Sequence, residues 1–165
     1  MNFNNLDDLK TIGFTGFKTI GDLFIDNSMI PDIKGVYLIL YLKNGPVQFM
    51  SVGTGGHFKG KNPNVSISFL KDNWINNSIV IYIGKAGKER SSAALKSRIK
   101  QYLGFGQGKN IGHWGGRLIW QIKDSRDLLI CWKPLPFSDP RTLESSLIQQ
   151  FSQKYNKRPF ANLTD

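Results

Sequence analysis

A chain of 165 residues is long enough for one domain with a single apolar core, so neither disulfides nor a structural metal are needed to hold it. With 40% hydrophobic and 12% aromatic residues, the composition excludes a disordered basic tail. Lysine and arginine number 22 against 12 acidic residues, and a net charge of +10 attracts polyanions, nucleic acid first and an anionic membrane surface second.

Residues 1–34 read as a short helical lead-in, interrupted by Gly13, Gly16 and Gly21 and closed by Pro31. The start lacks the basic and apolar regions of a secretory signal, and no run approaches 18 apolar residues, so the expectation is a cytoplasmic protein with no membrane span. Residues 35–42 alternate as a strand with apolar side chains on both faces, which predicts a central, covered position. An insert follows at about 46–78. Its segments 47–51 and 65–69 each alternate like strands, and the basic glycine-rich stretch between them offers Lys59 and Lys61 as candidate nucleic-acid contacts.

A second strong strand covers 79–83 and ends at Gly84. Ser91 or Ser92 is placed to cap a helix running to about Leu103, because Leu95, Ile99 and Leu103 recur every four residues. A run with six glycines between Gly104 and Gly116 carries Lys109 and His113 and leads into Arg117, three further candidates for nucleic-acid contact. Strands are expected at 117–123 and 128–135. The second contains Cys131, the single cysteine, which reads as a buried filler and excludes a Cys-based zinc site. Asp139 as N-cap and Pro140 open the last helix, with Leu143, Leu147, Phe151 and Tyr155 as its core stripe. The whole predicts an α/β (α+β) domain, a small sheet with helices on its faces.

Within the last helix, Glu144 falls in the middle of the apolar stripe, between Phe151 and Tyr155 on the helical wheel. A capping-box role belongs to position 142 instead. A buried carboxylate must find a metal, a cation or a neutral protonation state. Arg98 lies at the boundary of the apolar face of its helix, with Tyr102 one turn on, and its planar fork suits a phosphate. Tyr37 and Tyr82 sit inside strands, each close to a glycine.

These pieces together resemble the GIY-YIG nuclease family. Gly35-Val36-Tyr37 is similar to the first triplet, with Val for Ile, and Tyr82-Ile83-Gly84 followed by Lys85 matches the second. Leu95-Lys96-Ser97-Arg98 with Tyr102 resembles the arginine helix, Leu143-Glu144 the glutamate helix, and Pro159-Phe160-Ala161-Asn162 the closing asparagine segment. Each triplet alone is weak, whereas the ordered set over residues 35–162 is specific.

The resemblance implies a mainly antiparallel three-stranded sheet flanked by helices, here with a β-rich insert between the first two core strands. It also implies hydrolysis of DNA phosphodiesters at one divalent ion, Mg²⁺ or Mn²⁺. Glu144 would bind the metal and Arg98 the scissile phosphate. Either Tyr37 or Tyr82 would activate the water, its pKa lowered by Lys85 or Arg98, with Tyr102 and Asn162 orienting the groups around it. The chain departs from the family in separating Tyr37 and Tyr82 by 45 positions, where members use a short hairpin. No separate specificity domain is visible, so recognition would fall to the insert, the loops, a homodimer partner or another protein. The alternative is a nucleic-acid-binding module that kept the fold and lost the chemistry.

Overall fold

The computed structural model describes residues 2–87 and 93–163. The described residues contain five α-helices, three short 3₁₀ turns and a four-stranded antiparallel sheet. In chain order they are α1 (Leu6–Thr11), β1 (Thr15–Thr19), α2 (Ile20–Ile25), β2 (Gly35–Leu40), α3 (Ile67–Asn73), β3 (Val80–Ala86), α4 (Leu95–Gly106), β4 (Leu129–Pro134) and α5 (Pro140–Tyr155). The strand order is β1-β4-β2-β3, and every neighbouring pair is antiparallel. No described helix is long and apolar enough to cross a membrane.

Every residue of β2 is buried, as its two apolar faces predict. One face packs Tyr37, Ile39, Ile81 and Tyr82 with Ile99 and Tyr102 of α4; the other packs Val36, Leu38, Ile83 and Cys131 with Leu147 and Phe151 of α5. Asp139 caps α5, its carboxylate accepting from the Arg141 N–H at 3.0 Å. Ser91 and Ser92 lie outside the described residues. The start of α4 is instead secured by Ser97, whose hydroxyl accepts from the Ala94 N–H at 3.2 Å and donates to the Ala94 carbonyl at 2.9 Å.

Three sequence expectations are corrected. The sheet has four strands rather than three, because the lead-in supplies β1 on the outer side of β4. Gly16 at φ +93° and Phe17 at φ 48° lie where the register shifts between Thr15 and Lys18, so the glycine that reads as a helix break is a bulge. A Cβ on Gly16 would lie 2.6 Å from the Trp132 ring.

The insert is not β-rich. Its first arm makes one bridge, Phe49 to Ile122, and its second is the start of α3, capped by the Ser66 hydroxyl accepting from the Phe69 N–H at 3.2 Å. The apparent alternation of 65–69 does not set its burial: Ile67 and Phe69 are exposed while Leu70 fills the core.

Residues 117–123 do not form the expected strand. Gly116 at φ +75° opens a 3₁₀ turn over Arg117–Gln121, which takes the strand's place and buries Leu118, Ile119, Trp120 and Gln121 in succession.

Gln121 builds the insert into the core. Its amide nitrogen donates to the carbonyls of Met50 (3.1 Å), Ser51 (3.3 Å) and Val65 (2.9 Å), and its oxygen accepts from the Val65 N–H at 2.9 Å. Trp74 adds edge contacts to Tyr41 and Phe160, ring centres 5.1 Å apart in both cases. Gln121→Leu keeps the bulk but strands these partly buried main-chain groups, each worth up to about 1–3 kcal/mol. We expect a loss of about 3 kcal/mol in urea unfolding and early proteolysis within 46–66. A stability equal to wild type would show that water replaces the amide.

Candidate active site

β3 is an edge strand, and its alternation sends Tyr82 to the α4 face and Lys85 to the α5 face. Tyr37 on β2 is paired in register with Gly84. A Cβ at Gly84 would sit 2.5 Å from Cζ of Tyr37, so the glycine of the second triplet is what lets the Tyr37 ring lie against β3. Tyr37, Tyr82 and Tyr102 therefore form one cluster, with ring centres 6.0–6.4 Å apart.

Their surroundings separate the three. Tyr37 is fully buried, and its Oη lies 3.4 Å from Nε2 of His113. Burial, reinforced by Tyr82, pushes its pKa well above the usual value. Tyr102 is fully buried too, and its hydroxyl donates to the Gly116 carbonyl at 3.1 Å, a structural commitment. Burial raises its pKa as well. Tyr82 retains 6% exposure; burial pushes its pKa up to about 12 and outweighs the opposing charge of Arg98, so the lowering expected from Lys85 or Arg98 is corrected to a rise for both strand tyrosines.

Glu144 is 16% exposed in its side chain and pairs with Lys85 of β3, Nζ to Oε2 at 2.5 Å. Of the three fates open to a carboxylate in that stripe, the chain itself supplies a cation, a lysine. Arg98 is half-buried on α4 and donates from one terminal nitrogen to Gln101 Oε1 at 3.3 Å.

Two clefts meet on these residues. One, of about 310 Å³, is lined by Tyr82, Lys85, Glu144, Arg98, Ser97 and Gln101 among others. The second, of about 510 Å³, shares Tyr82, Lys85 and Glu144 and adds Trp114, Arg117 and Asn162. Glu144 is the one acidic side chain lining either cleft among the described residues, against three cations, Lys85, Arg98 and Arg117. A larger hollow of about 550 Å³ lies elsewhere, near Tyr41 and Asn76. Its cation, Lys43, is paired with Asp124 and Asp127.

Asn162 lines the second cleft, but its amide is spent on the free edge of β3. Nδ2 donates to the Ile83 carbonyl at 2.8 Å and Oδ1 accepts from the Ile83 N–H at 2.9 Å, while the Ala161 N–H donates to the Ile81 carbonyl at 2.9 Å. Asn162 thus positions the strand that carries Tyr82 and Lys85.

Lys59, Lys61 and Lys109 are exposed and line neither cleft. The turn bearing Lys59 packs beside the glycine-rich run, its N–H donating to Asn110 Oδ1 at 3.3 Å.

His113 is buried beneath the tyrosines, and its pKa is pushed down to about 3, first by burial and then by Arg98. Below its ordinary value near 6.5 the unfolded chain binds a proton that the folded protein refuses. Stability from this source is therefore complete above pH 6.5 and is lost as pH falls toward 3. The loss is bounded by about 5 kcal/mol. Urea midpoints measured between pH 7 and pH 4 should fall for wild type and fall less for His113→Asn. Parallel curves would remove His113 as the source of acid lability.

Sequence reasoning missed Trp114, whose ring stacks under the Arg117 guanidinium, and Gln101, which braces Arg98. An aromatic residue inside a glycine-rich run was the available signal for the first. Among the described residues no group of three or more His, Cys, Asp or Glu side chains is placed to hold a metal ion, so Glu144 is a single-carboxylate donor. No protein-family model, no curated protein and no solved structure matches this chain, and the site rests on its own geometry.

Proposed function

We propose that the protein is a metal-dependent endonuclease of the GIY-YIG type that hydrolyses DNA phosphodiester bonds with one Mg²⁺ or Mn²⁺. The observation that carries this reading is the convergence of Tyr82, Lys85, Arg98 and Glu144, from a strand and two helices, on two clefts that share three of them. Glu144 lines both clefts with one oxygen held by Lys85, and its other oxygen would suit a hard cation that keeps most of its waters and takes further oxygens from a phosphate. Such an ion would act as a Lewis acid on the phosphoryl oxygen.

The chain's own groups have distinct tasks in this reading. Arg98 has a terminal nitrogen left for a phosphate after its bond to Gln101, and its charge would stabilise the negative charge that develops there. Of the two strand tyrosines, Tyr82 is the one that would meet the attacking water, because it lines both clefts while Tyr37 is sealed beneath it, and its raised pKa suits it to orient that water through its hydroxyl. Lys85 holds Glu144 toward the clefts and adds a second positive charge beside the phosphate.

Charge is also segregated along the chain. Residues 35–123 carry 13 lysines and arginines against two acidic residues, while the remainder carries nine against ten. A basic stretch that contains the insert, the glycine-rich run and α4 supports DNA as the partner.

The ion pair itself favours a second reading, a DNA-binding module without chemistry, since Glu144 already has a cation. Incubation with plasmid in Mg²⁺, Mn²⁺ or EDTA separates the two. The nuclease reading predicts nicking with either metal and none in EDTA. Both readings predict salt-sensitive DNA binding, with a slope of about −0.9 in log affinity against log salt per phosphate neutralised. A slope near zero would overturn both.

A further inference from the structure

The loop from Trp114 to Arg117 enters the second cleft and has no task in the chemistry above. The Arg117 guanidinium lies 4.6 Å from the centre of the Trp114 ring, the shortest cation–ring distance among the described residues. Its Nε is buried without a hydrogen-bond partner, and no described carboxylate pairs with it. A desolvated guanidinium nitrogen without an acceptor is costly, so the stack on Trp114 is held at some expense.

The two glycines between these residues explain why the loop can lie there. A Cβ on Gly115 would stand 3.1 Å from Tyr82 Oη, and one on Gly116 3.0 Å from Tyr82 Cζ, so the backbone runs flush against the tyrosine. The stacked pair therefore sits beside the residues that face the reacting phosphate. The cleft, about 510 Å³, has the size of a small-ligand pocket.

We propose that Trp114 and Arg117 form a stacking platform for one unpaired nucleotide next to the scissile phosphate. The substrate class is then DNA with a single-stranded segment at the cut, such as a flap, and not continuous duplex. The inference rests on the nuclease reading for the scissile phosphate. Its physical basis is that paired bases bury their faces against one another, whereas an unstacked base offers a π face to an aromatic ring or a guanidinium plane.

The test is fluorescence anisotropy in EDTA at fixed salt, with a blunt duplex and the same duplex carrying an oligothymidine flap. Wild type should hold the flap substrate about tenfold or more tighter than the duplex. Trp114→Ala should weaken flap binding by about 5- to 150-fold and change duplex binding less than about twofold. Trp114→Phe should restore most of the difference. If the alanine variant does not melt cooperatively, Arg117→Gln and Trp114→Phe carry the same comparison. Equal affinity of wild type for the two substrates, or an equal loss on both in the variants, overturns the platform. Failure of the nuclease reading looks different. A flap preference in EDTA with no cutting in Mg²⁺ or Mn²⁺ supports the platform and removes the nuclease, while metal-dependent cutting without flap preference does the reverse.

Discussion

Glu144→Gln protein is expected to cut no DNA while melting within a few degrees of wild type. The substitution removes the negative charge that a divalent ion needs but keeps an oxygen that can accept from Lys85. Lys85 is 31% exposed in its side chain, so it can also turn to water when its partner is neutral. The cost should therefore be close to that of a surface pair, about 1 kcal/mol or less, and not the 3–5 kcal/mol of a sealed one. For a chain of this size that is about 2–4 °C in Tm. Added Mg²⁺ or Mn²⁺ should raise the melting temperature of wild type by mass action and leave the variant unmoved. A loss of 3–5 kcal/mol that no metal alters, with cleavage persisting in the folded fraction, would assign Glu144 to structure alone.

Arg98→Lys should bind DNA nearly as well as wild type and cut it about 100- to 1,000-fold more slowly. The charge is kept, so the sum of phosphate attractions changes little. What is lost is the planar fork, whose one arm is braced by Gln101 while the other stays available to an oxygen. An ammonium on a flexible stem has no such brace. The same change should leave stability nearly unaltered, because Arg98 is half-buried at the margin of α4. Single-turnover cleavage at saturating enzyme isolates the chemical step. Wild-type rates there would reduce Arg98 to a surface charge.

Much of the fold could be read from local pattern. β2, β3 and β4 announce themselves by alternation or dense apolar runs, and α4 and α5 by leucines at helical spacing. β1 could not, because Gly16 and Phe17 take bulge angles that break the period on which strand reading depends. Residues 65–69 mislead for the opposite reason: five residues are too few to distinguish a period of two from the first turn of a helix, and Ser66 at the cap decides the matter.

The site divides along the same line. Which residue types converge was legible, since Tyr37, Tyr82, Arg98 and Glu144 stand in order along the chain. Who holds whom was not. The cation facing Glu144 is 59 positions upstream, and Gln121 grips carbonyls 70 and 71 positions before it. The difference between Tyr37 and Tyr82 is likewise a matter of depth, set by where the loop after α4 lays His113 against Tyr37.

Ala161 and Asn162 also guard the outer rim of β3. A strand that carries catalytic candidates on a sheet rim is an invitation to foreign strands, because its outward amides and carbonyls can template another chain. Asn162 answers by presenting its carboxamide as an imitation peptide unit, taking both hydrogen-bonding groups of Ile83, while Ala161 occupies Ile81. Any partner that adds a strand to this sheet must evict that mimic or use the opposite rim at β1. Removing Ala161 and Asn162 would then be doubly harmful: a loosened strand under Tyr82 and Lys85, and a sticky rim that recruits other copies into aggregates.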